Sequence, residues 1–212
     1  MNRVFYLFRH GETDWNRERR CQGHTNIPLN DNGIMQAHDL AERMLDISLD
    51  VIVSSDLERA LVTGRTVANK KSVPLIIDPR LREMSYGEAE GLLFEDAITA
   101  FGNETWMRLQ SFKAEYDHVG FPGGETRRAS RERFIETLMH LIEKTDHKNI
   151  GISTHGGAIR NVLHSFLPED HPMISIPNCV LYRLVYDVVE KKFIAEAAPF
   201  ECLASAKKIS ES

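Results

Sequence analysis

An α/β fold, a three-layer α/β/α sandwich around a mostly parallel sheet, is the class that three features of this sequence predict. Short runs of strand length, rich in branched or aromatic residues, recur at Val4 to Phe8, Asp50 to Val53 and Asn149 to Ser153. Segments with helical spacing of apolar residues follow them. Each run stops at a polar, charged or glycine cluster: Arg9-His10-Gly11-Glu12, Ser54-Ser55-Asp56 and Thr154-His155-Gly156-Gly157. Strands that alternate with helices form parallel sheets covered on both faces.

Taken in order, the first strand is followed by a helix that Asn30 or Asp31 caps and that runs to about Leu45. Ile34, Ala37, Leu40, Ala41, Met44 and Leu45 share one of its faces. The second strand leads to a helix from about Leu57 to Asn69 and then to a strand at Pro74 to Ile77. Between Glu83 and Gly124 the pattern changes to short helical pieces carrying Trp106, Phe112, Tyr116 and Phe121. These read as a helical insertion, at about 88–124, lying over the prospective active site. A long amphipathic helix spans Glu125 to Lys144, with Phe134, Leu138, Leu141 and Ile142 inward. Ala158 to Phe166 is helical, and Val180 to Tyr186 pairs with Lys192 to Ala197 as closing strands. The polar tail after Ala204 reads as frayed. All 212 residues are expected in one domain.

Composition excludes several classes. The 26 basic and 31 acidic side chains leave a net charge of −5, which disfavours nucleic acid as a partner. Cys21, Cys179 and Cys202 are too few and too scattered for a disulfide framework or a zinc site. No apolar stretch approaches the ~20 residues needed to span a bilayer, and the amino terminus lacks a signal-peptide pattern. A cytoplasmic protein is expected, with no membrane partner. An apolar face at Val180 to Tyr186 serves either as core or as a homodimer contact.

Open α/β sheets bind ligands beyond the carboxyl ends of their strands. There, Arg9, His10, Arg59 and His155 would converge. Guanidinium forks match phosphate oxygens, and a protonated His adds charge-assisted donors. Gly156 and Gly157 let the backbone come close, with free N–H groups at a helix start. The pattern predicts a phosphoryl pocket. His24, His38, His118, His140, His147, His164 and His171 read as structural or surface residues, with His24 lying near the first loop.

The ordered motifs resemble those of the histidine phosphatase superfamily, which includes the cofactor-dependent phosphoglycerate mutases. They are Arg9-His10-Gly11-Glu12-Thr13 with Asn16 and Gln22-Gly23; Pro28-Leu29 with Gly33 and Gln36-Ala37; and Ser54 to Ala60. Leu81-Arg82-Glu83 with Gly87 and Glu90-Gly91, Pro122 to Thr126, and Ser153 to Gly156 complete the set. The resemblance implies that His10 is a nucleophile forming a phosphohistidine and that Glu83 is the general acid and base. It implies phosphate binding by Arg9, Asn16, Arg59, His155 and Gly156, and substrate contacts from Gln22 and Gly23. Neutral His10 is favoured by Arg9 and Arg59, and a backbone carbonyl accepting from its other nitrogen would set the tautomer. No metal or other cofactor is implied. Two departures stand out: the family often has an aromatic residue where this chain has Ala89, and an acid where it has Asn26.

Small broad-specificity bacterial phosphatases are the nearest resemblance within the superfamily. The insertion is short, with only Arg108 and Lys113 basic in its central part, unlike the Arg-rich stretch of mutases. The expected activity is hydrolysis of a small phosphomonoester. Mutase-type phosphoryl transfer is the alternative, and a non-catalytic phosphate-ester binding module is a third reading.

Overall fold

The computed structural model describes residues 2–200; Cys202 and the tail after Ala204 lie outside the described residues. The elements are β1 (Arg3–Arg9), α1 (Asp14–Arg17), α2 (Asp31–Arg43), β2 (Val51–Ser54), α3 (Glu58–Lys71), β3 (Leu75–Ile77), α4 (Phe94–Phe101) and α5 (Asn103–Gln110). They continue with α6 (Arg127–Lys144), β4 (Asn149–Thr154), α7 (Gly156–His164), β5 (Leu181–Asp187) and β6 (Lys192–Ala195).

One sheet has the order β3-β2-β4-β1-β5-β6. Strands β1 to β4 are parallel, while β5 runs antiparallel to β1 and β6. Alternation along the strands divides the core. Phe5, Leu7, Val51, Val53, Ile150 and Ile152 face α6 and α7, where Phe134, Leu138, Leu141, Ile159 and Val162 meet them. Phe8 and Ile52 point the other way, to Leu40, Ala41 and Met44 of the α2 segment and Val67 of α3. Helices thus cover both faces of the sheet, as expected of a mostly parallel α/β architecture. Leu181, Tyr182, Leu184 and Tyr186 of β5 are buried, so that apolar face is core within the chain.

Register explains why the motifs meet. Arg9 pairs with Thr154 across β1 and β4, and Ser54 pairs with Ser153 across β2 and β4. The residues that follow, His10, Ser55 and His155, therefore leave the sheet at the same edge. His10 N–H donates to Thr154 O at 3.0 Å, which extends the ladder one step into the loop.

Several expectations are corrected. Ile34 and Leu45 are each 43% exposed, because the buried stripe of α2 is Gly33, Ala37, Leu40 and Ala41, and the helix ends at Arg43. The last two helices of the core start elsewhere than expected. Thr126 caps α6 by accepting from Ala129 N–H, and α7 begins at Gly156 with His155 as its N-cap. The latter shift puts both glycines in the first turn of the helix, where their backbone meets other elements. The insertion is helical: α4, α5 and a 3₁₀ turn at Ala114–Tyr116.

Helix α2 braces the loop after β1 through backbone contact. A Cβ on Gly33 would lie 2.1 Å from Glu12 O, and one on Gly11 would lie 2.3 Å from Gly33 O. Gln36 Oε1 accepts from Glu12 N–H at 2.8 Å. Gly33→Ala forces this contact apart and is expected to cost about 1–3 kcal/mol, read as a lower Tm by roughly 2–4 °C per kcal/mol for a chain of this size. Ile34→Ala, on the exposed side, is expected to change stability by less than about 0.5 kcal/mol. Equal effects from the two changes would show that the close approach carries no strain.

Candidate active site

His10 is 3% exposed and its Nδ1 lies 2.6 Å from Gly11 O. A carbonyl only accepts, so the proton sits on Nδ1 and Nε2 keeps its lone pair. Burial first, then the adjacent charges of Arg9 and Arg59, holds His10 well below the usual imidazole range. The ring of His155 stands with its centroid 5.2 Å from that of His10.

Arg59, at the first turn of α3, is 1% exposed and bonded through all three nitrogens. It donates from Nη2 to Gly23 O and from Nη1 to Thr25 O, both at 2.7 Å, and from Nε to His155 Nδ1 at 3.2 Å. Because arginine only donates, His155 Nδ1 accepts and its Nε2–H donates to Ser55 Oγ at 2.9 Å. Burial, with Arg59 and His10, lowers the pKa of His155 well below its ordinary value. Burial and the neighbouring cations thus disfavour the protonated imidazole expected here, at His10 as at His155. Burial lowers the pKa of Arg59 to about 10, which still leaves it charged at neutral pH. Its helix is capped from a distance, with Glu58 N–H donating to Asn26 Oδ1 at 2.8 Å. An acid would accept the same bond, so the structure does not explain the departure to Asn26.

Thr13 and Asn16 form a capping box around α1, a short helix missed at the sequence level although Thr13-x-x-Asn16 carried its signal. Asn16 Oδ1 accepts from Thr13 N–H at 3.1 Å and from Asn178 Nδ2 at 3.2 Å, so its Nδ2 faces away from both. Gln22 Oε1 accepts from Thr13 Oγ1 at 3.1 Å. Gly23 has φ +51°, and the Glu90 carboxylate fills the space a Cβ would take. That carboxylate accepts from His24 N–H, Thr25 N–H and Tyr86 N–H, clamping the loop that carries Gly23. Ala89 beside it is buried with Cys21, Ala97 and Phe121 under the insertion.

Glu83 is fixed by two backbone donors, Met84 N–H to Oε1 at 3.0 Å and Gly157 N–H to Oε2 at 2.8 Å. The expectation of free N–H groups at the start of α7 is thereby corrected: the Gly157 amide is committed to Glu83. A Cβ on Gly157 would sit 2.6 Å from Glu83 Oε1, and one on Gly156 would sit 3.2 Å from Arg9 Nε. Behind Glu83, Arg133 grips the Glu125 carboxylate through Nε and Nη2, both at 2.9 Å. The same guanidinium donates to Glu83 O at 3.1 Å, and His24 Nε2 lies 2.8 Å from that oxygen. His24 thus belongs to the scaffold of Glu83 and is no bystander.

A cavity of about 550 Å³ opens onto these groups, with Arg9, Asn16, Gln22, Glu83 and Gly156 in its wall. His10 and His155 are buried and adjoin the wall residues Arg9 and Gly156 in the chain, and the buried Arg59 is bonded to His155. Phe94, Trp106 and Phe121 of the insertion region form an apolar side. Arg108 and Lys113 do not line it; the cations that do, beyond Arg9, are Arg20, Arg127 and Arg160, all outside the insertion. The sequence reading also missed the segment 174–178. Ile176 O accepts from Arg9 Nη1 at 2.7 Å, and Asn178 Nδ2 donates to His10 O at 3.0 Å. Irregular segments have no periodicity to betray them. Among the described residues no cluster of His, Cys, Asp or Glu has the form of a metal site, and no helix is long and apolar enough to cross a membrane.

The chain is similar to several known proteins. A phosphoglycerate mutase-like protein of Arabidopsis thaliana is 34% identical over 81% of this chain and 74% of its own length. An uncharacterized phosphatase, PhoE, of Bacillus subtilis is 34% identical over 74% of each chain. The solved α-ribazole phosphatase of Shigella flexneri superposes with a TM-score of 0.73 at 27% identity, over 91% of this chain and 94% of that one. The model of the histidine phosphatase superfamily (branch 1) matches residues 5–195, and the chain belongs to that superfamily.

Proposed function

We propose that the protein is a phosphomonoester hydrolase working through a phosphohistidine at His10. The observation that carries this reading is a neutral imidazole with its Nδ1–H tied to Gly11 O, set beside two guanidiniums and a fixed carboxyl. In the first step His10 Nε2 attacks phosphorus and the bond to the leaving oxygen breaks. Glu83 gives that oxygen its proton. Arg9, Arg59, the Asn16 amide and the N-terminus of α7 at Gly156 stabilise the charge spread over the phosphoryl oxygens. His155 orients Arg59 through Nδ1. Gln22 and Gly23 flank the bound ester. In the second step Glu83 takes a proton from water, which attacks phosphorus; the N–P bond breaks, freeing phosphate and restoring His10. No step calls for a metal.

Water is the acceptor favoured by the cover of the site. That cover is aromatic; of its two central basic residues neither lines the cavity, and Arg108 is turned to the exposed Glu104, 2.5 Å away. A mutase must retain its intermediate under a closed, charged lid until the phosphoryl group returns. One relative is named a phosphatase and another mutase-like, so the names alone leave both activities in view.

Wild-type protein is expected to release phosphate from p-nitrophenyl phosphate in the presence of EDTA, and His10→Ala to lose about a thousandfold or more in kcat. Activity that persists in His10→Ala, or that requires added divalent metal, overturns the mechanism. Interconversion of 2- and 3-phosphoglycerate exceeding hydrolysis would establish the mutase reading instead. Glu83→Gln is expected to cost about 10²–10⁴-fold on alkyl phosphates and much less on aryl phosphates, whose leaving groups need no proton. Equal losses on both would remove Glu83 as the acid.

The pH dependence follows from the two buried imidazoles. Their folded-state pKa values lie well below 6.5, so below that pH the unfolded chain binds more protons than the folded one. Stability is full above about pH 6.5 and declines toward acid. The urea midpoint is expected to fall between about pH 7 and pH 5, and imidazole nitrogen spectra to show His10 Nε2 unprotonated at about pH 6. A His10 titration midpoint at or above 6.5 would contradict its neutral state.

A further inference from the structure

The motif at Pro122 to Thr126 and the residue Arg133 have no step in the proposed hydrolysis, yet both meet the segment that carries Glu83. All five N–H groups of Arg133 find acceptors. Nε and Nη2 hold the two oxygens of Glu125, both at 2.9 Å. Nη1 donates to Arg80 O at 2.6 Å and to Arg82 O at 3.1 Å, and Nη2 donates also to Glu83 O at 3.1 Å. Three carbonyls, the last of them at Glu83, are thus fixed from α6. Glu125 holds the chain just beyond. Its Oε2 accepts from Ser85 N–H at 2.9 Å, and its own N–H donates to Ser85 O at 3.0 Å. The glycine before it permits that approach, since a Cβ on Gly124 would lie 2.6 Å from Ser85 O.

A second donor reaches the same carbonyl. Because a carbonyl only accepts, His24 Nε2–H donates to Glu83 O at 2.8 Å, and both lone pairs of that oxygen are used. The residues on either side of His24 have another duty. Gly23 O and Thr25 O accept from Arg59 Nη2 and Nη1, both at 2.7 Å. One residue therefore spans the buried guanidinium and the carboxyl proposed as the acid. Its backbone is held in turn, with His24 N–H donating to Glu90 Oε1 at 2.9 Å. The Glu83 carboxyl is oriented by the amides of Met84 and Gly157, the first its own neighbour in the chain, so its place in the cavity wall follows that of its backbone.

We propose that Arg133 and His24 are positioning residues for the proton transfers of Glu83, and that their shared grip on its carbonyl sets the carboxyl at a working distance from Arg59. Proton transfer requires hydrogen-bond reach of the leaving oxygen, and a misplacement of about 1 Å costs roughly a hundredfold. Neither residue lines the cavity. Their effect passes through Glu83, and so does its kinetic signature. This role rests on Glu83 being the acid of the proposed phosphomonoesterase; it adds what holds that acid in register with the phosphoryl group.

Two esters of similar size test it: p-nitrophenyl phosphate, whose phenolate leaves unaided, and benzyl phosphate, whose alkoxide needs a proton. The value of kcat/KM reports the step in which the leaving oxygen departs, so the benzyl-to-nitrophenyl ratio isolates the acid. Glu83→Gln is expected to lower that ratio by about a hundredfold or more. Arg133→Met is expected to lower it by roughly tenfold, and His24→Ala by about three- to tenfold. In the Glu83→Gln background the same two changes are expected to move it by less than about twofold, because residues that act through one group are not additive. A merely structural role lowers both esters alike. An unchanged ratio in either variant overturns the assignment of that residue, as does a full further loss in the Glu83→Gln background. The His24 side chain is 30% exposed, so His24→Ala keeps the proposal falsifiable should Arg133→Met not fold. Failure of the phosphatase reading looks different: wild type releases no phosphate from p-nitrophenyl phosphate, or Glu83→Gln leaves the ratio unchanged, and the proposal falls with it.

Discussion

The Arg59 guanidinium is the interaction on which the site depends. It is nearly inaccessible, yet it joins three parts of the chain: the loop at Gly23 and Thr25, its own helix α3, and His155 at the junction of β4 and α7. A buried cation is a liability when its donors go unmatched. Here two backbone carbonyls and an imidazole accept from three of its five N–H groups. Because no carboxylate is used, the charge is not neutralised by an ion pair. The same positive field, added to burial, keeps His10 and His155 neutral, which is the state a nitrogen nucleophile requires.

A division of labour among carbonyls and carboxylates organises the rest. Acids are kept for the scaffold: Glu90 holds the Gly23 loop, Glu125 grips Arg133, and Asp117 holds Arg127. Carbonyls hold the functional cations, as Ile176 O does for Arg9. Glu83 alone brings an acid into the cavity wall, and its oxygens are oriented by two amides instead of a salt bridge. A net charge of −5 across the chain therefore coexists with a local concentration of positive charge.

The core strands were legible because each is a short apolar run with a sharp polar stop, and the parallel register then brings those stops together. His10, Arg59, Glu83 and His155 could be singled out at that stage. Other parts left weaker traces. Ile34 satisfied the apolar pattern of α2 but lies one position off the stripe set by Gly33, Ala37 and Leu40. The contributions of Asn26, His24 and Arg133 pass through backbone groups of distant segments, which no local pattern records.

The sequence by itself determined the α/β class, the edge of the sheet at which the strand-ending motifs meet and the residue types gathered there. Hydrophobic periodicity and the residues that terminate strands are local properties, readable in order. Only the tertiary structure decided the protonation of the two imidazoles, the commitment of the Gly157 amide to Glu83, and the meeting of Arg133 and His24 at one carbonyl. Each of these depends on burial and on groups distant in the chain, as with His155 and Ser55, 100 residues apart. Charge state and hydrogen-bond assignment are properties of an environment, and that environment exists only once the chain has folded.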